Sequence, residues 1–245
     1  MASILNAAEI AAFQEDGLVF VRGLFDAEET ALLRRAMEED PQVRDHILDR
    51  LDANGAATRI SLWNRAGNSV YGLAARCARL VDTMEALLGG PVYHFQSKLT
   101  AKDPLVGGAW EWHQDYGYWY NNGCLFPHLA SCMIAVDRAT RANGCLQVLK
   151  GSHHLGRIDH VPVAGEGQNV ADPARMKHIL AARETVYCEM EPGDGLFFHA
   201  LTFHAASRNH SDATKMSLVF TFRPADNRPV AGSRSASLPE LLLQS

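Results

Sequence analysis

The sequence contains no Cys-x-x-Cys pair, although it has five cysteines. A thiolate zinc site and a disulfide framework both depend on paired or regularly spaced cysteines, so neither is expected. Several of these cysteines are expected to be small buried hydrophobic residues, and a reducing cytoplasm is the expected compartment. The five are Cys77, Cys124, Cys132, Cys145 and Cys188.

Long apolar runs and blocks of basic residues are also missing. The longest apolar runs are far shorter than the roughly 20 residues that a membrane-spanning helix needs. The N-terminus has no basic stretch followed by an apolar run, so no signal peptide is expected. The net charge of −5, with no basic block, argues against nucleic acid as the main partner. A small-molecule substrate is the expected partner, and the sequence does not indicate the oligomeric state.

The composition is that of a globular protein, because 47% hydrophobic and 21% charged residues exclude the disordered and coiled-coil classes. The chain has 245 residues and shows neither an internal repeat nor a low-complexity linker. We therefore expect a single continuous domain over residues 1–245. Its two parts are a helical front over 1–90 and a strand-rich core over 91–224.

The front of the chain carries helix signals. Asn6 is a plausible N-cap for a helix that ends at Gly17, and Asp26 is a plausible N-cap for a second helix. Apolar residues at helical spacing predict a third helix over roughly 73–88. Residues 42–72 are ambiguous and rich in loop signals.

From Pro91 onward the pattern changes to strands separated by turns, and it predicts one helix over 172–182. Helices followed by many antiparallel strands indicate an α+β chain built around a jelly-roll barrel. Strand alternation places Glu111 on the inner face, and the segments 92–95, 133–136, 196–198 and 218–222 are expected to line the core. The predicted strands cover residues 92–101, 109–114, 129–136, 145–149, 185–190, 195–198 and 216–222.

The sequence Trp-Glu-Trp-His-Gln-Asp at 110–115 places His113 and Asp115 two residues apart in a predicted strand. Side chains at this spacing leave the same face of a strand, so an imidazole and a carboxylate converge. They make two-thirds of the 2-His-1-carboxylate set that holds non-heme Fe(II). With 11 histidines and 28 carboxylates in the chain, however, a His-x-Asp by itself is a weak signal.

Two histidines downstream compete for the third ligand position, His199 and His204. Farther on, Lys215 and Ser217 share one face of the next predicted strand, and such a cation and hydroxyl can hold the far carboxylate of a dicarboxylate. Each residue taken alone is more often a core histidine or a solvated lysine. The order His-x-Asp, a long interval, His and then a cation is more specific.

That order resembles the phytanoyl-CoA dioxygenase family, which includes ectoine-hydroxylase-like enzymes, and the likeness covers almost the whole chain. Residues 8–22 resemble the family's N-terminal helix and first strand. The sequence Asn-Gly-Cys-Leu-Gln-Val-Leu-Lys-Gly-Ser-His at 143–153 resembles its Asn-Gly…Pro-Gly-Ser-His segment. Residues 191–204, from Glu-Pro-Gly-Asp to Phe-His, resemble the turn and strand that end in the distal ligand.

The resemblance implies a double-stranded β-helix, a cupin-like jelly-roll barrel with flanking N-terminal helices. It implies a hydroxylase that uses Fe(II), O2 and 2-oxoglutarate as cosubstrate, with 2-oxoglutarate converted to succinate and CO2. By this match the metal ligands and catalytic residues are His113, Asp115 and His204, not His199. The residues implied for cosubstrate binding are Lys215, Ser217, Gln96 and Trp119.

The sequence departs from the family pattern at several positions. Lys215 stands where the family normally has arginine, and lysine lacks the planar fork that binds a carboxylate through two bonds. Ala206 stands where many members have serine or glycine, and Lys150 replaces the usual proline before Gly-Ser-His. Lys215 therefore keeps an alternative open, a metal-dependent cupin-like isomerase or binding protein that does not use 2-oxoglutarate.

Overall fold

The computed structural model describes residues 4–52, 54–162 and 169–237 and has an α+β architecture. The helices are α1 (Ala7–Asp16), α2 (Ala27–Glu39), α3 (Pro41–Arg44), α4 (Val70–Ala75), α5 (Ala78–Leu88), α6 (Asp115–Asn121) and α7 (Pro173–Ala182). The strands are β1 (Leu18–Val21), β2 (Leu48–Leu51), β3 (Ala57–Trp63), β4 (Val92–Lys102), β5 (Trp110–His113), β6 (Ala130–Ala135), β7 (Leu146–Leu149), β8 (His160–Pro162), β9 (Asn169–Ala171), β10 (Thr185–Cys188), β11 (Gly195–His199), β12 (His204–Ala206) and β13 (Lys215–Pro224).

Two antiparallel sheets form the centre of the molecule. The larger sheet has seven strands in the order β1-β11-β6-β13-β4-β3-β2, and the smaller has four in the order β10-β7-β12-β5. Strands β8 and β9 form a separate hairpin. Along the chain, the strands of the two sheets alternate from β4 to β7 and again from β10 to β13, so that the two sheets are built together.

Side chains on opposite faces of the large sheet enter two different apolar clusters. On β13, Leu218 and Phe220 pack in one cluster with residues of α5 such as Leu80. Val219, between them, packs in a second cluster with Val148 of the small sheet. The expectation that 218–222 lines a single core is therefore correct only for alternate residues, as a strand period of two requires.

The predicted helix starts are confirmed. Asn6 and Asp26 each form a capping box. The side chain of the cap accepts from the backbone N–H of the glutamate three residues later, and the side chain of that glutamate accepts from the backbone N–H of the cap. Gly17 ends α1 with a φ of 77°, a backbone conformation that a residue without a Cβ adopts at little cost. Asp172 caps α7.

The front of the chain is less helical than predicted. Strands β2 and β3 form a hairpin in the ambiguous stretch 42–72, and with β1 they extend the large sheet. The helix predicted over 73–88 is two helices, because Cys77 between them has extended backbone angles. Apolar spacing alone does not detect one extended residue, so the pattern missed this break.

No helix in the described part of the chain is long and apolar enough to cross a membrane. All five cysteines are free, in agreement with the prediction that they form no disulfide framework.

The position of Phe220 leads to a stability prediction. Its ring is fully buried between the large sheet and the helices. Phe220→Ala should lower the free energy of unfolding by about 3–5 kcal/mol, since it removes apolar contacts and leaves a cavity. Urea denaturation measures the difference. Leu62→Ala is the matched control, because Leu62 in the same sheet is 50% exposed and should change stability by less than about 1 kcal/mol. Equal losses for the two variants would contradict this packing.

Candidate metal centre

Three buried side chains converge where β5, β12 and α6 meet: His113, Asp115 and His204. Their potential ligand atoms all lie within 4.8 Å of one another. The Oδ1 atom of Asp115 is 3.9 Å from Nε2 of His113 and 3.8 Å from Nε2 of His204. Two imidazole nitrogens and one carboxylate oxygen form the donor set that suits non-heme Fe(II) and leaves coordination positions open.

Neighbouring strands position the two histidines, and a helix start positions the carboxylate. His113 is the last residue of β5 and lies opposite His204, the first residue of β12. Asp115 is the first residue of α6, so the expectation that it lies on the same strand as His113 was wrong. The chain turns between them and brings the carboxylate to the imidazoles from another direction.

Gln114 holds this turn, and the sequence reasoning missed its role. Its side-chain nitrogen donates to the carbonyl oxygens of Gly156 and Leu201, while its side-chain oxygen accepts from the backbone of Ile158. Its own backbone N–H donates to Nε2 of His160. Such a fully bonded buried amide fixes the direction in which Asp115 leaves the strand. The sequence signal for this role was only that Gln114, a polar residue, stands between the candidate ligands His113 and Asp115.

Hydrogen bonds fix which nitrogen of each histidine faces the centre. The Nδ1–H of His113 donates to the carbonyl oxygen of Glu111 at 2.7 Å, and that of His204 donates to Thr202 at 2.9 Å. A carbonyl oxygen only accepts, so each Nε2 keeps its lone pair for a metal. Burial lowers the pKa of both imidazoles, which favours the neutral form that coordinates metal.

His199 does not join this centre. Its Nδ1 accepts from the backbone N–H of Leu201, and its ring lies beside that of His153. Burial, together with the neighbouring histidines, lowers the pKa of His199 to about 3. Of the two histidines that competed in the sequence, the structure brings His204 to His113 and Asp115.

Glu111 is not on the inner face. It is exposed, whereas Trp110 lines the same cavity as His113. The cause is an irregular register between β5 and β12, where His113 faces His204 but Trp110 faces Ala206. Such an irregularity shifts the alternation by one residue, and strict alternation therefore assigned Glu111 to the wrong face.

A narrow slot runs from the two histidines between the sheets and ends at lysine side chains; we call it the lysine slot. The large sheet contributes Lys98, Thr100 and Lys102 of β4 and Lys215 of β13 to its lining. Apolar side chains from both sheets line the rest of the slot: Met133, Leu146, Phe198 and Val219.

Lys215 is fully buried and points to the far end of this slot. Its Nζ donates to the carbonyl oxygen of Gly144 at 2.8 Å. Burial lowers the pKa of Lys215 to about 8. The hydroxyl of Ser217 is buried and has no hydrogen-bond partner among the described residues. A buried hydroxyl without a partner is costly, so Ser217 has unused capacity for a ligand.

Lys102 was not foreseen from the sequence. It pairs directly with Lys215 across β4 and β13, and only 2% of it is exposed. Its Nζ donates to the carbonyl oxygens of Ser207 and Ala206. Burial and the positive charge of Lys215 lower the pKa of Lys102 to about 6. In the sequence Lys102 precedes Asp103 and a proline, a pattern typical of a solvated strand end, so the sequence did not indicate that Lys102 is buried.

Two other cations that follow His204 are engaged elsewhere. Arg208 donates to both carboxylate oxygens of Asp52. Arg223 donates to the carbonyl oxygens of Pro224 and Asn227 and lies over the ring of Tyr93. Neither lines the lysine slot.

A second cavity of about 200 Å³ opens on the other side of the centre; we call it the outer chamber. Gln96 and Trp119 line it beside Asp115. Trp119 is nearly buried and packs edge-to-face on Phe95. The cationic residues of its wall are Arg50, Lys98 and Arg234.

The chain is similar to known proteins over most of its length. The phytanoyl-CoA dioxygenase (PhyH) family model matches residues 13–217. An L-proline trans-4-hydroxylase of Streptomyces griseoviridis is 31% identical over 168 residues, 63% of each chain, so that match spans less than two thirds of the relative. An ectoine dioxygenase of Stutzerimonas stutzeri is 27% identical and covers 92% of this chain and 80% of the relative.

Solved structures agree in fold. EctD from S. alaskensis with bound Fe superposes with a TM-score of 0.81 at 24% identity, over 99% of this chain and 87% of that one. The non-heme alpha ketoglutarate dependent carbocyclase SnoK superposes with a TM-score of 0.75 at 18% identity, over 94% and 88%.

The geometry of the centre leads to a prediction about metal content. His113→Ala and His204→Ala should each lose most of the bound iron after loading with Fe(II), because each removes one of three donors. Elemental analysis of the purified proteins measures the loss. His199→Ala is the matched control and should keep its iron, since His199 lies outside the centre. Loss of iron from His199→Ala alone would show that the distal ligand is assigned wrongly.

Proposed function

The chain belongs to the phytanoyl-CoA dioxygenase family, and we propose that its reaction is the hydroxylation of a small molecule beside His113, Asp115 and His204. It is a dioxygenase that depends on Fe(II), O2 and 2-oxoglutarate, which is converted to succinate and CO2. The observation that carries the proposed site is the convergence of two neutral imidazoles and one carboxylate, flanked by one cavity on each side.

In this proposal His113, Asp115 and His204 hold the iron, which supplies the oxygen chemistry when bound. The backbone carbonyls of Glu111 and Thr202 keep the two imidazoles oriented. The intact carboxylate ligand supports hydroxylation, because Asp115 occupies the place that a halide would need in a halogenating relative.

We assign the lysine slot to 2-oxoglutarate. A five-carbon dicarboxylate that reaches the iron with one end needs a charged partner for the other end, since an unpaired ion between two sheets is costly. Lys215 supplies this charge, and the unpartnered hydroxyl of Ser217 supplies a further donor. Gln96 and Trp119, which the resemblance implied for cosubstrate binding, line the outer chamber beside Asp115 and not this slot.

The strand order supports a double-stranded β-helix, with residues 1–245 as one domain. Core strands alternate between the two sheets from β4 to β7 and again from β10 to β13. In the large sheet β4, β13, β6 and β11 are neighbours, as are β5, β12, β7 and β10 in the small one. Two sets of four neighbouring strands, between which the chain passes back and forth in this way, have the jelly-roll topology.

The outer chamber is the proposed substrate site, and we propose a small molecule that carries a carboxylate or another anionic group. Three cationic residues line the chamber, whereas the carboxylate on its wall is Asp115, a proposed iron ligand. The curated relatives named above act on L-proline and ectoine. A cupin-like isomerase or binding protein without 2-oxoglutarate is not favoured, because the relatives are dioxygenases and hydroxylases.

A succinate assay tests the function. The protein loaded with Fe(II) is supplied with 2-oxoglutarate, O2 and pools of amino acids, cyclic amino acids and other small carboxylates. We expect one pool to raise succinate formation above the rate without substrate, while His204→Ala forms none with any pool. Iron-loaded protein that forms no succinate, with or without these pools, would contradict the proposal.

Lys215 leads to a prediction about the cosubstrate. Lys215→Met should weaken 2-oxoglutarate binding by about two orders of magnitude, as is typical when one partner of a buried charge pair is removed, and leave iron content unchanged. Anaerobic calorimetry measures the affinity. Lys215→Arg should retain binding if the slot admits the larger guanidinium group. Lys150→Met is the matched control, because Lys150 lies at the surface beside Asp16. Wild-type affinity in Lys215→Met would place the anchor elsewhere.

A further inference from the structure

The far end of the lysine slot holds two lysines, not one. Lys102 and Lys215 are directly paired residues of β4 and β13, and both side chains enter the same slot from the large sheet. Their ammonium groups donate to carbonyl oxygens of two segments, Ser207 for Lys102 and Gly144 for Lys215. These segments touch, because a Cβ on Gly144 would come within 2.1 Å of the Ser207 carbonyl oxygen. The two lysines therefore converge on one end wall.

Neither ammonium forms an ion pair with a carboxylate among the residues that the structure describes. Asp52 is the carboxylate whose charge acts on Lys102, and both of its oxygens accept from Arg208. Two buried lysines beside each other, bonded only to neutral carbonyls, cannot both carry their charge without a large cost unless an anion joins them. None of the other side chains that line the slot is a carboxylate.

We propose that Lys102 is the second cation of the 2-oxoglutarate site, so that two lysines together hold the distal carboxylate where a single arginine would otherwise serve. The inference rests on the function proposed above. A carboxylate has two oxygens, and each accepts from one ammonium, which reproduces with two point charges the two parallel bonds of a guanidinium. The slot has about 30 Å³ of free space, too little for a five-carbon dicarboxylate, so the two flexible lysine side chains must move when the ligand enters.

This arrangement couples cosubstrate binding to proton uptake. At pH 7.5 Lys102 is mainly neutral in the free protein, because burial and Lys215 lower its pKa to about 6. A carboxylate beside it favours the charged form and raises the pKa of Lys102, so the protein takes up a proton when 2-oxoglutarate binds. The affinity should therefore fall as the pH rises from 6 to 9, as the lysines lose their protons.

The other groups that face Lys102 do not reverse this direction. Asp52, whose charge favours the ammonium form, is already bonded to Arg208. Cys145 is a buried thiol whose pKa is raised by burial, so it stays neutral in this range. Lys98, on the same strand, lies toward the ring of Trp110.

Anaerobic calorimetry of the Fe(II)-loaded protein tests the inference. 2-Oxoglutarate is titrated at pH 7.5 in two buffers that differ in ionisation enthalpy, because the difference in apparent heat gives the protons taken up. Wild type is compared with Lys102→Met, Lys102→Gln and the surface control Lys150→Met. Pyruvate, which keeps the 2-oxo acid group but lacks the distal carboxylate, is the control ligand.

The wild type and Lys150→Met should take up protons on binding 2-oxoglutarate. Lys102→Met and Lys102→Gln should bind it about 10- to 100-fold more weakly, the loss of one charged hydrogen bond, and lose most of the uptake. Pyruvate binding and iron content should not change, which also shows that the variants are folded.

Wild-type affinity and proton uptake in either folded Lys102 variant would overturn the inference and leave the function proposed above intact. A wild type that binds iron but not 2-oxoglutarate would overturn both. The two failures are therefore distinguishable.

Discussion

The burial of polar side chains between two sheets is the constraint on which the rest of this structure depends. A buried donor or acceptor without a partner costs about 1–3 kcal/mol, so the fold must satisfy nearly all of them. His113 and His204 use one nitrogen each for a backbone carbonyl, and Gln114 uses its amide fully. At the candidate site, the atoms left for a ligand are the two Nε2 atoms, the Asp115 carboxylate and the hydroxyl of Ser217.

The same constraint explains why the two cavities differ in chemistry. The lysine slot lies between the sheets, where apolar side chains exclude water and where cations need an anion. The outer chamber lies at the edge of the sheets, where aromatic rings and longer cationic side chains form the wall. His113 lines both cavities, so that each of them opens toward the three converging side chains.

Much of the fold and of the candidate site was predictable from local patterns. The capping boxes at Asn6 and Asp26 depend on residues three positions apart, and the strands of the core show as apolar runs between turns. Errors arose where a single residue breaks a regular pattern. Cys77 divides one predicted helix, and the irregular register between β5 and β12 turns Glu111 outward. Neither break has a composition signal, because each is set by how the segment packs on its neighbours.

The sequence by itself determined the types of the candidate ligands, their order along the chain and the presence of a cation after His204. It did so because side-chain chemistry and short spacings are local properties. The family resemblance had already implied His204 and not His199, and in the tertiary structure His204 lies opposite His113. Only the tertiary structure decided that Asp115 approaches from a helix and that Lys102 lies beside Lys215. Lys102 and Lys215 are separated by a long stretch of chain, and strand pairing brings them together. Proximity of this kind depends on register, which a single sequence does not display.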